Sequence, residues 1–367
     1  MKIAILADPL DNQSAGVHTY TKGMVNALIQ YDQINEYVLI RQRKDPSFSA
    51  NVRQIGVPIF PYIPFFSSFR LFVLIPLICR WQKVKAVVEP AHFGPFNLPA
   101  SIKRITVIHD LTPLLFPQYH RLYGRSLQKL FLPRILRRVD KILTVSEHSK
   151  KDINKQFPFT TPKTKVIYPG RDPFFYPDHS PKVLKKFGVD YPFFLSVGTI
   201  EPRKNLVLLL KAFERYCKLV NSETFLVIAG GKGWKSEKFF EALEQHPFRK
   251  KIRFVGRVSK EDLRVLYSHS IALIYPSIYE GFGLPILEAY SCGTAVICSN
   301  SSSLPEVGGK LATYFDPLDE IELVESMSKL YCSFRNRALV KDQFINFSKT
   351  FFWRNYVHEF MKMIKET

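Results

Sequence analysis

Short apolar runs rich in β-branched residues recur along the chain. Between them lie longer stretches whose apolar residues repeat every three to four positions. In the first half, Ile3–Ala7, Tyr37–Arg41, Ala86–Glu89, Ile105–His109, Lys141–Val145 and Lys165–Tyr168 read as strands. Val17–Gln30 and Arg121–Arg138 read as helices, the second interrupted at Pro133, where a backbone donor is missing. In the second half the strands are Phe193–Val197, Phe225–Ala229, Ile252–Val255, Ile271–Tyr275 and Ala295–Cys298. Helical patterns at Asn205–Leu219, Lys260–His269 and Leu284–Ser291 separate them. Apolar strands alternating with helices predict βαβ units and parallel sheets. The cycle occurs twice, so the expected fold is α/β, with two doubly wound domains facing each other across an interdomain cleft.

The segment YPGRDPFFYPDHSPKVLKKFGVDYP has four prolines from Pro169 to Pro181 and reads as a linker. The expected divisions are therefore residues 1–175, residues 182–350, and a tail helix at 351–367. In doubly wound sheets ligands sit at the carboxyl ends of strands, against helix N-termini. The strand-to-helix loops are where chemistry is expected.

Four such loops carry candidates. ADPLDNQSAGVHTYTKG places Gly16 directly before a helix, where a missing side chain lets an anion approach the free N–H groups. A glycine in a tight turn is the plain alternative. TVIHDLTPLLFP ends a strand at His109, a candidate partner for a substrate hydroxyl or phosphate. A buried strand-end histidine is its plain alternative. FFLSVGTIEPRKNLVLLLKAF ends a strand at Gly198 and then presents Glu201, Arg203 and Lys204. Two cations there suit a diphosphate, and Glu201 is placed to hold one of them. A solvated charged loop is the alternative.

The fourth loop, YEGFGLPILEAYSCGTAVICS, has Glu280 and Glu288 eight positions apart around a glycine-rich turn. Pro285 suits a first helical turn, and the N–H groups of Phe282, Gly283 and Leu284 can point at a ligand. Glu288 lies four residues past Leu284, on the same helical face. Two carboxylates flanking a helix start suit a polyol held at both ends. One glutamate acting as a cap, or lying solvated, accounts for either residue alone but not for the arrangement. AGGKGW, after Phe225–Ala229, does not match G-x-G-x-x-G and reads as a turn. There is no D-x-D, which argues against a carboxylate-held Mg²⁺ and assigns the diphosphate to the basic pair.

Composition narrows the class. With 46% hydrophobic and 23% charged residues, the chain is globular rather than disordered. Its five scattered cysteines, with no C-x-x-C pair, argue against a disulfide framework or a zinc site and fit a reducing compartment. The first strand is too short for a signal-peptide core, and the run of nine uncharged residues between Arg70 and Arg80 is far below the ~20 that span a bilayer. A cytoplasmic protein is expected. The net charge is +20, of which residues 1–180 carry +13 and residues 181–367 carry +7. Such a field attracts nucleic acid, anionic lipid or phosphorylated substrates.

Taken in order, the motifs resemble a known family. E280-GFGLPIL-E288 is similar to the E-x7-E signature of GT4-family retaining glycosyltransferases, and VGTIEPRKN to their diphosphate loop. HDLTPLLFP, TVSEHSKKDI and VIYPGRDP resemble further blocks of the bacterial mannosyltransferase-like branch. The resemblance implies the GT-B fold, two Rossmann-like domains, with the tail helix crossing back to the first. It implies transfer of a sugar from a nucleotide-sugar to an acceptor hydroxyl with retained configuration. Glu280 and the Phe282–Leu284 N–H groups would hold the donor sugar, and Glu288 the ribose. Arg203 and Lys204, beside Gly198, would neutralise the leaving diphosphate. Many relatives carry an arginine directly after this glycine, where this chain has Thr199, so Arg203 would supply that charge. Gly16 would approach the phosphate or acceptor, His109 the transferring sugar, and the loop around Arg257 and Val258 the base. No cofactor or metal is expected. The family mechanism is a front-face substitution, with domain closure excluding water.

The expected donor is GDP-mannose, with a UDP-sugar as the alternative, and the expected acceptor is a glycan or lipid-linked glycan of the cell surface. Arg121, Arg125 and Lys129 repeat at four, and Arg134, Arg137 and Arg138 extend the stripe among Leu127, Leu130, Phe131 and Leu132. Together with residues 65–85 this reads as a peripheral surface for anionic membrane. A generic basic surface is the alternative. A nucleic-acid-binding protein would explain the charge but not the paired acids, and no nucleic-acid motif is present. A nucleotide-sugar epimerase would need acid–base residues beside the sugar, for which only His109 stands as a candidate.

Overall fold

The computed structural model describes residues 1–366 apart from 13–14, 47, 49–51, 61, 64, 93–96, 120–121, 190–191, 221–222 and 335–338. The chain divides into two compact units. One comprises Met1–Pro117, Arg121–Gly170 and Phe352–Thr367; the other comprises Gln118–His120 and Arg171–Phe351.

The first unit is built on β1 (Lys2–Leu6), β2 (Glu36–Arg41), β3 (Arg53–Gly56), β4 (Ala86–Glu89), β5 (Lys103–Ile108), β6 (Lys141–Thr144) and β7 (Thr164–Val166). All pairings are parallel, in the order β3-β2-β1-β4-β5-β6-β7. The second unit has β8 (Phe193–Val197), β9 (Phe225–Ala229), β10 (Ile252–Gly256), β11 (Ala272–Tyr275), β12 (Ala295–Ser299) and β13 (Thr313–Phe315). These are also parallel, in the order β10-β9-β8-β11-β12-β13. In each sheet the winding reverses beside the first strand, between β1 and β4 and between β8 and β11. Helices on both faces bury the central strands completely: Ile3, Ala4, Ile5, Phe194, Leu195, Leu273 and Ile274 have no exposed surface. The reversal leaves an opening at the strand carboxyl ends, the ordinary ligand position of this architecture.

The pattern misses two strands. β3 (RQIG) and β13 (TYF) are short and lie at sheet edges. Paired on one side only, neither carries the apolar run that marks a central strand. The exposed Arg53 on β3 also discourages further pairing at that edge. Pro133 does not interrupt its helix, which runs from Leu122 to Arg138. Packing overrides the lost donor: Leu132, Ile135 and Leu136 are buried against Ile108, Ile142 and Ile153. The Arg134 guanidinium also donates to the Leu130 carbonyl at 2.6 Å, in the turn that the proline loosens. Among the described residues no helix is long and apolar enough to cross a membrane.

The helix Trp353–Lys365 completes the first unit, burying Tyr356, Val357, Phe360, Met363 and Ile364. It lies against the helix Ala15–Tyr31, where the Tyr20 and Tyr356 hydroxyls share a hydrogen bond of 2.7 Å. Gly23 and Gly170 make room for Trp353, since a Cβ at either would lie 2.1 or 2.4 Å from its atoms. Replacing Phe360 with alanine should therefore lower stability by ~3–5 kcal/mol. Urea unfolding checks this, and a loss below ~1 kcal/mol would show the tail helix to be a loose appendage.

Candidate active site

In the second unit, the loops that follow β8 and β11 meet at the reversal point. Beyond Gly198 the chain forms a short 3₁₀ turn, Pro202–Lys204, before the helix Leu206–Val220. The Ile278 N–H bonds the Arg203 carbonyl at 2.9 Å and ties the second loop to the first. Glu280 then reaches back. One carboxylate oxygen lies 2.6 Å from Lys204 Nζ and the other 2.8 Å from Arg203 Nη1. Arg203 also donates to the Tyr279 carbonyl at 2.5 Å and to Glu201 Oε1 at 2.6 Å. Lys204 Nζ completes its shell with the Tyr275 hydroxyl at 2.7 Å.

Two carboxylates and two cations thus form one balanced cluster with little access to water; Glu280 is 7% exposed and Glu201 5%. Burial works against the charge on Glu280, but Arg203 and Lys204 outweigh it and hold the carboxyl at about 2. Glu201 touches one cation rather than two, so burial prevails and its carboxyl is raised. Burial likewise lowers the Lys204 ammonium, against the pull of Glu280.

The turn after Glu280 ends at Gly283, whose φ of +110° favours glycine, and the helix Leu284–Ser291 starts there. The first N–H groups of such a helix have no carbonyl within it to bond. The Phe282 ring faces inward, edge-on to Phe351. Glu288, one turn along this helix, stands outside the cluster. Its carboxylate accepts from the Tyr267 hydroxyl at 2.9 Å, and burial raises it to about 7. Val258, half-buried, follows β10 and precedes Ser259, which caps the helix Lys260–His269 through the Asp262 N–H.

Gly16 and His109 belong to the first unit. Gly16 is exposed in the first turn of Ala15–Tyr31, and a Cβ there would meet no atom within 4 Å. His109 follows β5, with Nε2 at 2.8 Å from the Pro90 carbonyl. That oxygen can only accept, so Nε2 carries the hydrogen and Nδ1 is the acceptor of the neutral ring. Burial lowers the imidazole, which favours the neutral form.

Family models match both units. One described as Glycosyltransferase Family 4 covers residues 14–174, and one described as Glycosyl transferases group 1 covers residues 181–338. The chain is 31% identical over 339 residues to the O-antigen chain mannosyltransferase B of Escherichia coli, spanning 87% of each chain. It belongs to the family 4 glycosyltransferases. The fold agrees. A sucrose-phosphate synthase from Thermosynechococcus elongatus superposes with a TM-score of 0.77 at 18% identity, covering 100% of this chain and 98% of that one. Anabaena HepE in complex with UDP-glucose gives 0.76 at 16% identity, covering 100% of both.

The structure of this glycosyltransferase brings Gly198, Arg203, Lys204 and Glu280 together; a Cβ at Gly198 would lie 3.3 Å from the Lys204 side chain. It also shows residues the sequence reading passed over. Ser302 and Ser303, after β12, pin the Glu280 turn: the Glu280 N–H donates to Ser302 Oγ, and Ser303 Oγ donates to the Glu280 and Phe282 carbonyls, each at 2.9 Å. The run SNSSSLP at a strand end was the available signal. His92, with φ +76°, accepts from the His109 N–H at 2.8 Å, and burial lowers it to about 4. The AGGKGW segment, expected as a turn, instead extends β9 alongside the loop after β8: the Ile200 N–H donates to the Gly231 carbonyl at 2.9 Å and the Gly233 N–H to the Ile200 carbonyl at 3.1 Å. A Cβ at Gly230 would lie 1.8 Å from the Gly198 carbonyl oxygen, so only glycine lets these two loops touch.

The raised Glu288 carboxyl makes a signed prediction. The folded state keeps this proton up to about pH 7, whereas an unfolded glutamate releases it near 4.5. Its contribution is fully present below the unfolded value and is lost as pH rises through about 7. Glu288→Gln should therefore be more stable than the parent by roughly 1–3 kcal/mol at pH 8 and no different near pH 4.5. Urea titrations at the two pH values check it; a pH-independent difference would contradict it.

Proposed function

We propose that this enzyme is a retaining hexosyltransferase moving mannose from GDP-mannose to a hydroxyl of a glycan or lipid-linked glycan, in the biosynthesis of a cell-surface polysaccharide such as lipopolysaccharide. The buried Glu280–Arg203–Lys204 cluster beside a helix N-terminus carries the reading. Two cations held on a short turn suit a leaving diphosphate, and the helix start adds N–H groups and a favourable dipole. Mannose rests on the similarity to the E. coli mannosyltransferase. The UDP-glucose held by the Anabaena relative favours a second reading with a UDP-sugar donor.

In this mechanism the bond from the anomeric carbon to the diphosphate oxygen breaks. The acceptor oxygen attacks the same face, and its proton passes to the departing diphosphate oxygen. The side chains stabilise charge and position the reactants. Arg203 and Lys204 take the diphosphate without a metal. Glu280 and the backbone from Phe282 to Leu284 orient the sugar, Glu288 the ribose and the loop at Val258 the base. In the first unit, His109 Nδ1 is an acceptor suited to a sugar hydroxyl, and the space beside Gly16 suits a phosphate or acceptor. An epimerase is less well supported, because the other nitrogen of His109 is already committed to Pro90. The basic excess fits a cytoplasmic enzyme lying against anionic membrane, where a lipid-linked acceptor would be found, rather than one bound to nucleic acid.

Thermal unfolding with GDP, UDP, ADP and dTDP, without added metal, tests the donor. A selective GDP shift is expected, approaching ~2.7 kcal/mol of stabilisation at a hundredfold excess over Kd. Lys204→Ala and Glu288→Ala should abolish it. A selective UDP shift would replace the donor, and no shift with any nucleotide would overturn the site.

A further inference from the structure

The described residues between 62 and 85 form an apolar surface that the transfer reaction leaves unused. Phe66–Phe69, a π-helical turn at Arg70–Leu74, and Ile75–Trp81 run as one continuous helical segment. Its inner side is fixed. Ile75 and Cys79 are fully buried among Leu6, Val38, Ile40 and Val87. Arg70, also buried, forms a two-pronged ion pair with Asp8 at 2.6 and 2.7 Å and donates to the Val57 carbonyl at 2.7 Å. Its outer side should be polar on a surface helix. It is instead a second apolar stripe, in which Phe69, Val73, Leu77 and Trp81 follow each other at four-residue intervals, all exposed, with Trp81 at 75%. Tyr62 and Phe65, just before the helix, are 95% and 87% exposed. Phe65 does so in a left-handed conformation, φ +59°, which a bulky side chain rarely adopts.

The charges within this segment are of one sign. Arg80, Lys83 and Lys85 are exposed at its carboxyl-terminal end, and no acidic residue occurs between Arg53 and Glu89. The basic helix expected to lie on lipid does not offer the same combination. Its Leu132, Ile135 and Leu136 face the unit's own core, Arg121 lies outside the described residues, and so do the side chains of Arg125 and Leu127. Lys129, Arg134, Arg137 and Arg138 are exposed there, with Leu130 as the exposed large apolar residue among them.

We propose that the Phe69–Val73–Leu77–Trp81 stripe, with Tyr62 and Phe65, inserts into the interfacial layer of an anionic bilayer while Arg80, Lys83 and Lys85 meet its headgroups. The proposal rests on the membrane attachment proposed above and names the surface that makes it. Apolar and aromatic side chains give attachment that survives salt, and the cations give preference for anionic lipid. Arg70 is the anchor that holds the segment rigid, so that the stripe is presented without an ordering cost on binding.

Vesicles of equal parts phosphatidylcholine and phosphatidylglycerol, some carrying brominated acyl chains, test this with the full chain. The protein is expected to co-sediment, to keep part of its binding in high salt, and to show bromine quenching that largely disappears in Trp81→Phe. That substitution leaves Trp234 and Trp353 as reporters. Leu77→Glu combined with Trp81→Glu should reduce partitioning at least ~tenfold. Both positions are exposed, so melting and the nucleotide-induced shift should be unchanged in the double variant. If the parent binds, but the double variant binds equally or Trp81 goes unquenched, the surface assignment fails and the attachment stands. If the parent does not bind, the attachment itself falls, and this surface with it. Self-association of the parent that the double variant loses, without vesicle binding, would assign the stripe to a second copy of the chain instead.

Discussion

A carboxylate with almost no access to water stays ionised only if cations are placed against it. Glu280 meets that condition twice, through Arg203 and Lys204, and the geometry of the second unit follows from it. The cations stand on the turn after β8, the glutamate on the turn after β11, and the contact locks two strand ends into one surface. Removing either partner of such a pair strands a buried charge, which typically costs ~3–5 kcal/mol. This explains why so many neutral groups support it. Ser302 and Ser303 hold the Glu280 backbone, Tyr275 shares Lys204, and Gly198 and Gly230 allow the loops to pack carbonyl against backbone.

The balance of charge also shapes what the site does with an anion. Arg203 and Lys204 are already paired with Glu201 and Glu280 before any ligand arrives. In the proposed reaction a diphosphate would compete with these carboxylates for two cations that are already oriented. Little side-chain ordering remains to be done on binding, which is the benefit of a preorganised electrostatic site.

The sequence disclosed the parts of this arrangement that local pattern controls. Buried parallel strands are almost uniformly apolar, so the central strands of both sheets stand out, and helices with a distinct apolar face, such as Lys260–His269, have the bounds expected of them. Edge strands lack that signature, and β3 and β13 were passed over for this reason. Pro133 was misjudged because intrinsic propensity was weighed without the core that Leu132 and Leu136 enter. Leu132, expected to face lipid, enters that core instead. The candidate loops were found as strand–turn–helix junctions, but their partnerships were not. Lys204 and Glu280 are 76 residues apart, and nothing local to either says that they touch. The serine run after β12 was invisible as chemistry because its role is to hold a backbone, not to present a side chain to a ligand.

The two glutamates that bracket the Gly-Phe-Gly-Leu-Pro turn have the same side chain and opposite acidities. Glu280, against two cations, is held at about 2, and Glu288, buried beside a phenol, is raised to about 7. Eight residues of sequence separate them, so the difference comes from what the folded chain brings to each. A permanently ionised carboxylate is an acceptor only, suited to fixing cations and taking bonds from sugar hydroxyls. A carboxyl that titrates near neutrality can accept from one hydroxyl and donate to its neighbour, which suits a vicinal diol. The pair flanks one helix start, Glu280 before it and Glu288 one turn along it, and burial and ion pairing set their acidities apart.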